Sequence, residues 1–272
     1  IGHFNSSCSI PASDVYNRSE IPMISPGSTN PQLTEKGYRG VFRVCGRDDQ
    51  QGKVAAEFVT GRLKLGKIAV VHDKTTYGQG LADEFRKALG DKVEVVFYGG
   101  IIQGDKDFKG VLTTIKGKSP ELIFFGGIYT EAGLMVRQAK EIGLKAPFMS
   151  GDGSIDPKFI EIAGAAAEGT YLTFSPDPDN IPTAKEFVGK YRAKYGELGP
   201  YSIYAYDAAN IMLAAIREAG STEGKLIMDK LHSMEFSGAL GMIKFDEKGD
   251  VTAAPYVIWL TKDGKFTEYW KP

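Results

Sequence analysis

Five short stretches, "HFNSS" (3–7), "ISPGST" (24–29), "HDKTTYG" (72–78), "GGIYTEAG" (126–133) and "SGDG" (150–153), carry the residues able to do chemistry. Each closes an apolar, strand-like run with small, hydroxyl, aromatic or acidic groups. Strand C-termini gather at one edge of a parallel sheet, so such groups can face a common crevice. Ser6, Ser28 and Thr29 with nearby backbone N–H groups suit a carboxylate, and Asp152 suits a cation. Tyr77 and Tyr201 offer flat apolar surface with a polar tip. Together they suit a small zwitterion with an apolar side chain. Each residue alone has a plainer reading: Ser28 and Thr29 as helix caps, Asp152 as a turn residue outside the core, the tyrosines as core. The glycines beside Asp152 would let the backbone approach a ligand closely.

Signatures of catalysis are missing. There is no GxxxxGK[ST] loop and no GxSxG elbow. "YGQGLAD" (77–83) has two glycines of a dinucleotide fingerprint but Asp83 where the third belongs, which fits a glycine-rich helix start better. His3, His72 and His232 lie far apart and read as satisfied structural residues. Cys8 and Cys45 form no CxxC pair, which argues against zinc; two buried thiols and one disulfide both remain open. No metal, cofactor or catalytic residue is expected.

The elements that must position these groups follow from the patterning. Of the 272 residues 42% are hydrophobic and 25% charged, the balance of a globular protein large enough for two domains. A net charge of −1 gives no electrostatic pull toward nucleic acid or anionic lipid. Ile21, Met23 and Ile24 suit a buried strand, as do "VFRVC" (41–45), "KIAVVH" (67–72), "VEVVFY" (93–98), "ELIFFGG" (121–127), "APFMSGDG" and "GTYLTFS". Helical spacing lies between them: Val54, Phe58 and Val59, then Leu81, Phe85 and Leu89 in a helix from Gly80, then helices near 107–117 and 131–142. A helix over 202–219 should turn Ala205, Ala208, Ile211, Met212, Ala215 and Ile216 inward. Repeated β-α-β units predict doubly wound parallel sheets. Breaks at 45–52, 174–182 and 246–255 predict two lobes joined by three crossovers: 1–47 with 177–254, and 48–176 with 255–272. The first lobe looks short of strands.

"GHFNSSCSIPASDVY", "IPMISPGSTNPQLT", "FRVCGRDDQQG", "VVHDKTTYGQGLADEFR" and "GLKAPFMSGDG" closely resemble the branched-chain amino-acid binding proteins of bacterial ABC importers, the leucine/isoleucine/valine type. The resemblance covers essentially the whole chain. It implies a type I periplasmic binding protein: a receptor that closes two lobes on a free aliphatic amino acid and passes it to an inner-membrane ABC permease. It implies a periplasmic location, no enzymatic step and no nucleic-acid partner. By position it assigns Ser6, Gly27, Ser28 and Thr29 to the α-carboxylate, Asp152 to the ammonium group, and Tyr77 and Tyr201 to the pocket. Ile128 stands where many relatives place an aromatic, which bears on pocket size. The family begins with a strand, a helix, a second strand and a second helix before this point, about seventy residues that complete the first lobe. "IGHF" at the start reads as the end of a strand, so the first lobe is expected to be incomplete and that segment to be its partner. A sensory domain of the same fold for an amide or related ligand is the alternative, and a nucleotide-dependent enzyme would need the phosphate loop that "YGQGLAD" lacks.

Overall fold

A computed structural model describes all 272 residues. By the density of its internal packing the chain falls into two units, residues 1–47 with 176–255 and residues 48–175 with 256–272. The first unit opens with helix α1 (Ser6–Arg18), strand β1 (Met23–Ser25), a short helix α2 (Gln32–Glu35) and strand β2 (Val41–Arg43). The second holds α3 (Asp48–Glu57), continued by a π-helical turn, β3 (Lys67–His72), α4 (Thr76–Leu89), β4 (Glu94–Gly100), α5 (Lys109–Gly117) and β5 (Leu122–Gly126). It continues with α6 (Tyr129–Glu141), β6 (Phe148–Ser150), α7 (Pro157–Ala163) and β7 (Tyr171–Phe174). The chain then supplies the first unit with α8 (Lys185–Tyr195), α9 (Ser202–Ala219), α10 (Gly224–Ser233), β8 (Phe236–Gly238) and β9 (Gly241–Ile243). It ends in the second unit with β10 (Val257–Lys262) and β11 (Lys265–Trp270).

The second unit is built on a seven-stranded sheet in the order β11-β10-β7-β6-β5-β3-β4. Strands β4, β3, β5, β6 and β7 pair parallel. The near-continuous apolar runs of the inner strands follow from burial on both faces, whereas β4 at the sheet edge is only half-buried. Ile68, Val70, Leu122 and Phe124 pack with Ala55, Phe58, Leu81 and Phe85 on one side. Ala69, Val71, Ile123 and Phe125 pack with Leu112, Met135 and Phe159 on the other. The edge departs from an all-parallel sheet, because β10 runs antiparallel to both β7 and β11. Asp263 and Gly264 between those strands have φ of 52° and 69°, the left-handed pair that a tight hairpin requires.

In the first unit β1 and β2 pair parallel, while β8 and β9 form a separate hairpin. Met23, Leu33 and Val41 pack together beneath Ile10, Tyr16 and Tyr38. Ile21 does not join the buried strand; it is 52% exposed, and its N–H ends the turn after α1 by donating to Tyr16 O. On α9 the inward face is Ile203, Tyr204, Ala208, Ile211, Ala214 and Ala215; Ala205 lies outside it, and Met212 and Ile216 are half-buried. No helix is long and apolar enough to cross a membrane.

Helix α4 starts four residues before the predicted Gly80 because "DKTT" builds its cap. The Thr75 hydroxyl accepts from Gly78 N–H (2.9 Å), and Asp73 Oδ1 accepts from the Thr75 N–H and hydroxyl (2.9 and 2.6 Å). Burial, with Glu131 close by, pushes the Asp73 carboxyl above its ordinary value. Glycine serves packing here. A Cβ on Gly78 would sit 2.2 Å from Asp73 Oδ1, and one on Gly126 would sit 2.0 Å from Gly78 O. The first turn of α4 thus lies directly on the end of β5. Gly126→Ala should destabilise the protein by about 1–3 kcal/mol, the usual cost of overpacking, read as a lower midpoint in urea unfolding.

Candidate functional site

Polar groups collect after strand ends in both units, and burial forces each to find a partner or remain unsatisfied. In the first unit β1 runs into the loop Ser25–Pro31, whose prolines stop the strand and whose polar residues turn inward. Ser25 Oγ donates to His3 O (3.0 Å) and accepts from the Ser28 N–H (2.9 Å). The Ser28 hydroxyl is already engaged: it lies 2.6 Å from Ser9 Oγ and within 3.0–3.1 Å of His3 O and Phe4 O. It stitches the loop to the chain before α1 and caps no helix. The side-chain bond at the start of α2 belongs to Asn30, whose Oδ1 accepts from Gln32 N–H (2.9 Å).

Thr29 is different. It is 1% exposed, and its hydroxyl has no hydrogen-bond partner. Ser6 lies close by at the N-terminus of α1, its Oγ accepting from Asn30 N–H (3.3 Å). Leading N–H groups of a helix and its dipole favour an anion there. Gly27 completes the wall: a Cβ there would meet Phe4 at 2.9 Å and the Tyr201 ring at 3.4 Å, and the two rings meet edge to face at 5.1 Å. The structure therefore brings Ser6, Gly27, Ser28, Thr29 and Tyr201 together, with Ser28 in a bracing position.

In the second unit Asp152 follows β6 and is 3% exposed. Its Oδ1 accepts from the Tyr77 hydroxyl (2.8 Å) and from Gln51 Nε2 (2.7 Å). Gly153 N–H donates to the Tyr77 oxygen (2.9 Å). Burial, then the charges of Asp152 and Asp48, push the Tyr77 phenol well above its ordinary value, so it stays a neutral donor. Gln51 was not among the expected residues, yet it grips Asp152 twice: its Oε1 accepts from the Asp152 N–H (3.0 Å) and from the Thr173 hydroxyl (2.7 Å). Its signal in the sequence is weak, a buried amide in the otherwise polar "RDDQQG". Ile128 is half-buried just before α6, and the carbonyl of its neighbour Gly127 accepts from the Ser154 hydroxyl (3.3 Å).

Two expectations change. The glycines around Asp152 make room for protein and not only for a ligand: a Cβ on Gly151 would meet Leu81 at 2.3 Å and Gln51 at 2.5 Å, and one on Gly153 would meet Tyr77 at 2.8 Å. Asp152 is also no free-standing turn residue, since it anchors Tyr77 and Gln51. The cysteines form no disulfide, and only one thiol is buried: Cys8 is exposed, and Cys45 is buried with its Sγ donating to Ser28 O (3.6 Å). His72 Nδ1 accepts from Lys74 N–H (3.2 Å) and His232 Nε2 bonds Arg39 O (2.9 Å), but His3 Nδ1 is buried without a partner.

Gln51→Leu would remove the acceptor of the Asp152 N–H and a donor to the Asp152 carboxylate, and would leave the Thr173 hydroxyl only its 3.5 Å contact with Ser150 O. It should cost about 1–3 kcal/mol for each group left unsatisfied, measured as the change in unfolding free energy in urea.

A family model described as "Periplasmic binding protein" matches residues 1–265. A Leu/Ile/Val-binding protein homolog 1 of Brucella melitensis is 44% identical over 271 residues, covering 99% of this chain and 73% of that protein. An amino acid binding protein of Pseudomonas aeruginosa is 43% identical over 270 residues, covering 98% and 72%. Among solved structures, a leucine binding protein from Thermotoga maritima superposes with a TM-score of 0.92 at 32% identity, covering all of this chain and 79% of that one. The branched-chain amino acid transporter substrate binding protein of Streptococcus pneumoniae, in complex with isoleucine, gives 0.89 at 31% identity, covering all of this chain and 78% of that one.

Proposed function

The chain belongs to the periplasmic binding protein family and has its type I α/β fold with a mainly parallel central sheet, and from that premise we propose that it is an extracytoplasmic receptor for a free branched-chain amino acid. One observation carries the reading: the two units hold groups of opposite preference. The first offers the unpartnered Thr29 hydroxyl beside the N-terminus of α1, and the second offers the buried Asp152 carboxylate. A zwitterion needs both.

The ligand's α-carboxylate accepts from the hydroxyl and N–H of Thr29 and from the Ser6 hydroxyl, while Gly27 and Ser28 shape the loop, their N–H groups donating to Ser25 Oγ (3.4 and 2.9 Å). Its ammonium group donates to Asp152, which Tyr77 and Gln51 hold in place. Ile128, Tyr77 and Tyr201 bound an aliphatic side chain, with no charged partner for a longer polar one. No bond is made or broken. A ligand that draws on both units has higher affinity for the arrangement that lets it reach both, and that differential affinity is what binding spends on closure. The ligand-bound form is then what a membrane permease of an ABC importer would read, in the periplasm. The names borne by the relatives support the ligand class.

Calorimetry tests this directly. Leu, Ile and Val should bind, whereas Lys and Asp should not, because a charged side chain buried without a partner is strongly disfavoured. Tight binding of Lys or Asp with no response to the three aliphatic amino acids would contradict the reading. Asp152→Asn keeps an acceptor for Tyr77 and Gln51 while removing the charge. It should cost about 3–5 kcal/mol in binding, as when one member of a buried charge pair is lost, with little change in melting temperature. Binding within about threefold of wild type would remove Asp152 from the ammonium site.

A further inference from the structure

Arg43 is the last residue of β2, inside the apolar run "VFRVC", and is fully buried, a placement that needs every N–H of its guanidinium to be used. Nη1 donates to Ser28 O and Asn30 O, both at 2.9 Å. Nη2 donates to Thr34 Oγ1 (2.6 Å) and, at 3.5 Å, to Pro31 O. Nε donates to Asp250 Oδ1 (2.5 Å). Three consecutive contacts along the loop, at residues 28, 30 and 31, thus end on one side chain, and they flank Thr29.

Asp250 arrives from far along the sequence. The turn "DEKGD" (246–250) is closed by Asp246, whose Oδ1 accepts from the Lys248 and Asp250 N–H groups (both 2.9 Å). The turn docks on β2 through Arg43 N–H to Gly249 O (2.9 Å). Gly249 has φ of 91°, and a Cβ there would lie 2.0 Å from Val41 O, so only glycine fits this approach. The Asp250 carboxylate accepts from the Thr34 hydroxyl (3.0 Å) and from Arg47 Nη1 (2.6 Å). Two arginines thus meet on this one carboxylate, Arg43 fully buried and Arg47 half-buried. Arg47 and Lys248 both reach the exposed Glu35 (2.9 and 2.8 Å), where water screens the interaction.

We infer that Arg43, Thr34 and Asp250 are positioning residues for the ligand's carboxylate, acting through the backbone of Ser28–Pro31. The inference rests on the binding reading above and adds residues that reading did not include. Two effects combine. The fork fixes the loop so that the Thr29 hydroxyl stays aimed at the ligand while Ser28 stays bound to the chain before α1. The bond to Ser28 O also polarises the Ser28–Thr29 peptide, which makes the Thr29 N–H at its other end a stronger donor. Lysine cannot replace the fork, because a point-like ammonium has neither five donors nor their planar spread.

The test uses L-leucine calorimetry together with amide hydrogen exchange at Ser28–Asn30. Thr34→Val keeps the volume of the side chain and removes the hydroxyl between Arg43 and Asp250. It should raise the leucine Kd about three- to tenfold and speed exchange at Ser28–Asn30, while Asp250→Asn and Arg43→Lys should raise Kd by about tenfold or more. In a Thr29→Val background, Thr34→Val should raise Kd by less than it does alone, because the hydroxyl it positions is gone while the Thr29 N–H remains, so the two losses do not add in full. Thr34→Val at wild-type Kd, or with a full extra loss on top of Thr29→Val, or with unchanged exchange, overturns the inference. If wild type itself binds none of Leu, Ile or Val, the binding reading fails; the exchange comparison still decides whether Thr34 and Asp250 hold the loop.

Discussion

A loop that leaves a strand to meet a ligand gives up its ladder partners, and in a buried setting each freed carbonyl must be satisfied by something else. In the first unit that burden falls on Arg43. Its guanidinium takes the carbonyls of Ser28, Asn30 and Pro31 and is itself neutralised by Asp250. The fold around it follows from this need. An arginine inside an apolar strand requires a buried carboxylate, the carboxylate requires the turn 246–250 to lie against β2, and that approach requires Gly249. Such a pair adds little net stability over a well-packed apolar substitute, but losing one member leaves an uncompensated charge. What it contributes is a single conformation for the loop.

The second unit answers the same problem with neutral groups. Asp152 is buried with a phenol and an amide donating to its carboxyl group, and Gln51 holds both its backbone and its side chain. Tyr77 is kept protonated by the same burial. One unit presents an unpartnered hydroxyl beside a helix N-terminus and the other an anchored carboxylate. That complementarity matches the two ends of an amino acid.

Much of this was legible before any coordinates. Strands β3 to β7 fall within about three residues of the predicted runs, because burial of the inner strands on both faces leaves continuous β-branched and aromatic stretches. Ser6, Thr29 and Asp152 could be picked out as polar residues at strand ends. What could not be read was which hydroxyl would be free: Ser28 and Thr29 are neighbours of similar chemistry, and only the contacts of Ser28 with His3, Phe4 and Ser9 separate them. Ala205 was misplaced because alanine reports its face of a helix weakly. The strands β10 and β11 were overlooked although "DG" at 263–264 marks their hairpin. Arg43 and Asp250 lie 207 positions apart, so no local pattern joins them, although an arginine within "VFRVC" is itself a signal of a buried partner.

The central claim is that the protein recognises the two charged ends of one small molecule with groups from its two units. Calorimetry with L-leucine, leucinamide and 4-methylpentanoate examines it most directly, since the second lacks the carboxylate and the third lacks the ammonium group. The account predicts that leucine binds and that each truncated ligand is weaker by about a hundredfold or more, the equivalent of losing at least one buried charge-assisted contact. Either truncated ligand binding as tightly as leucine would contradict it.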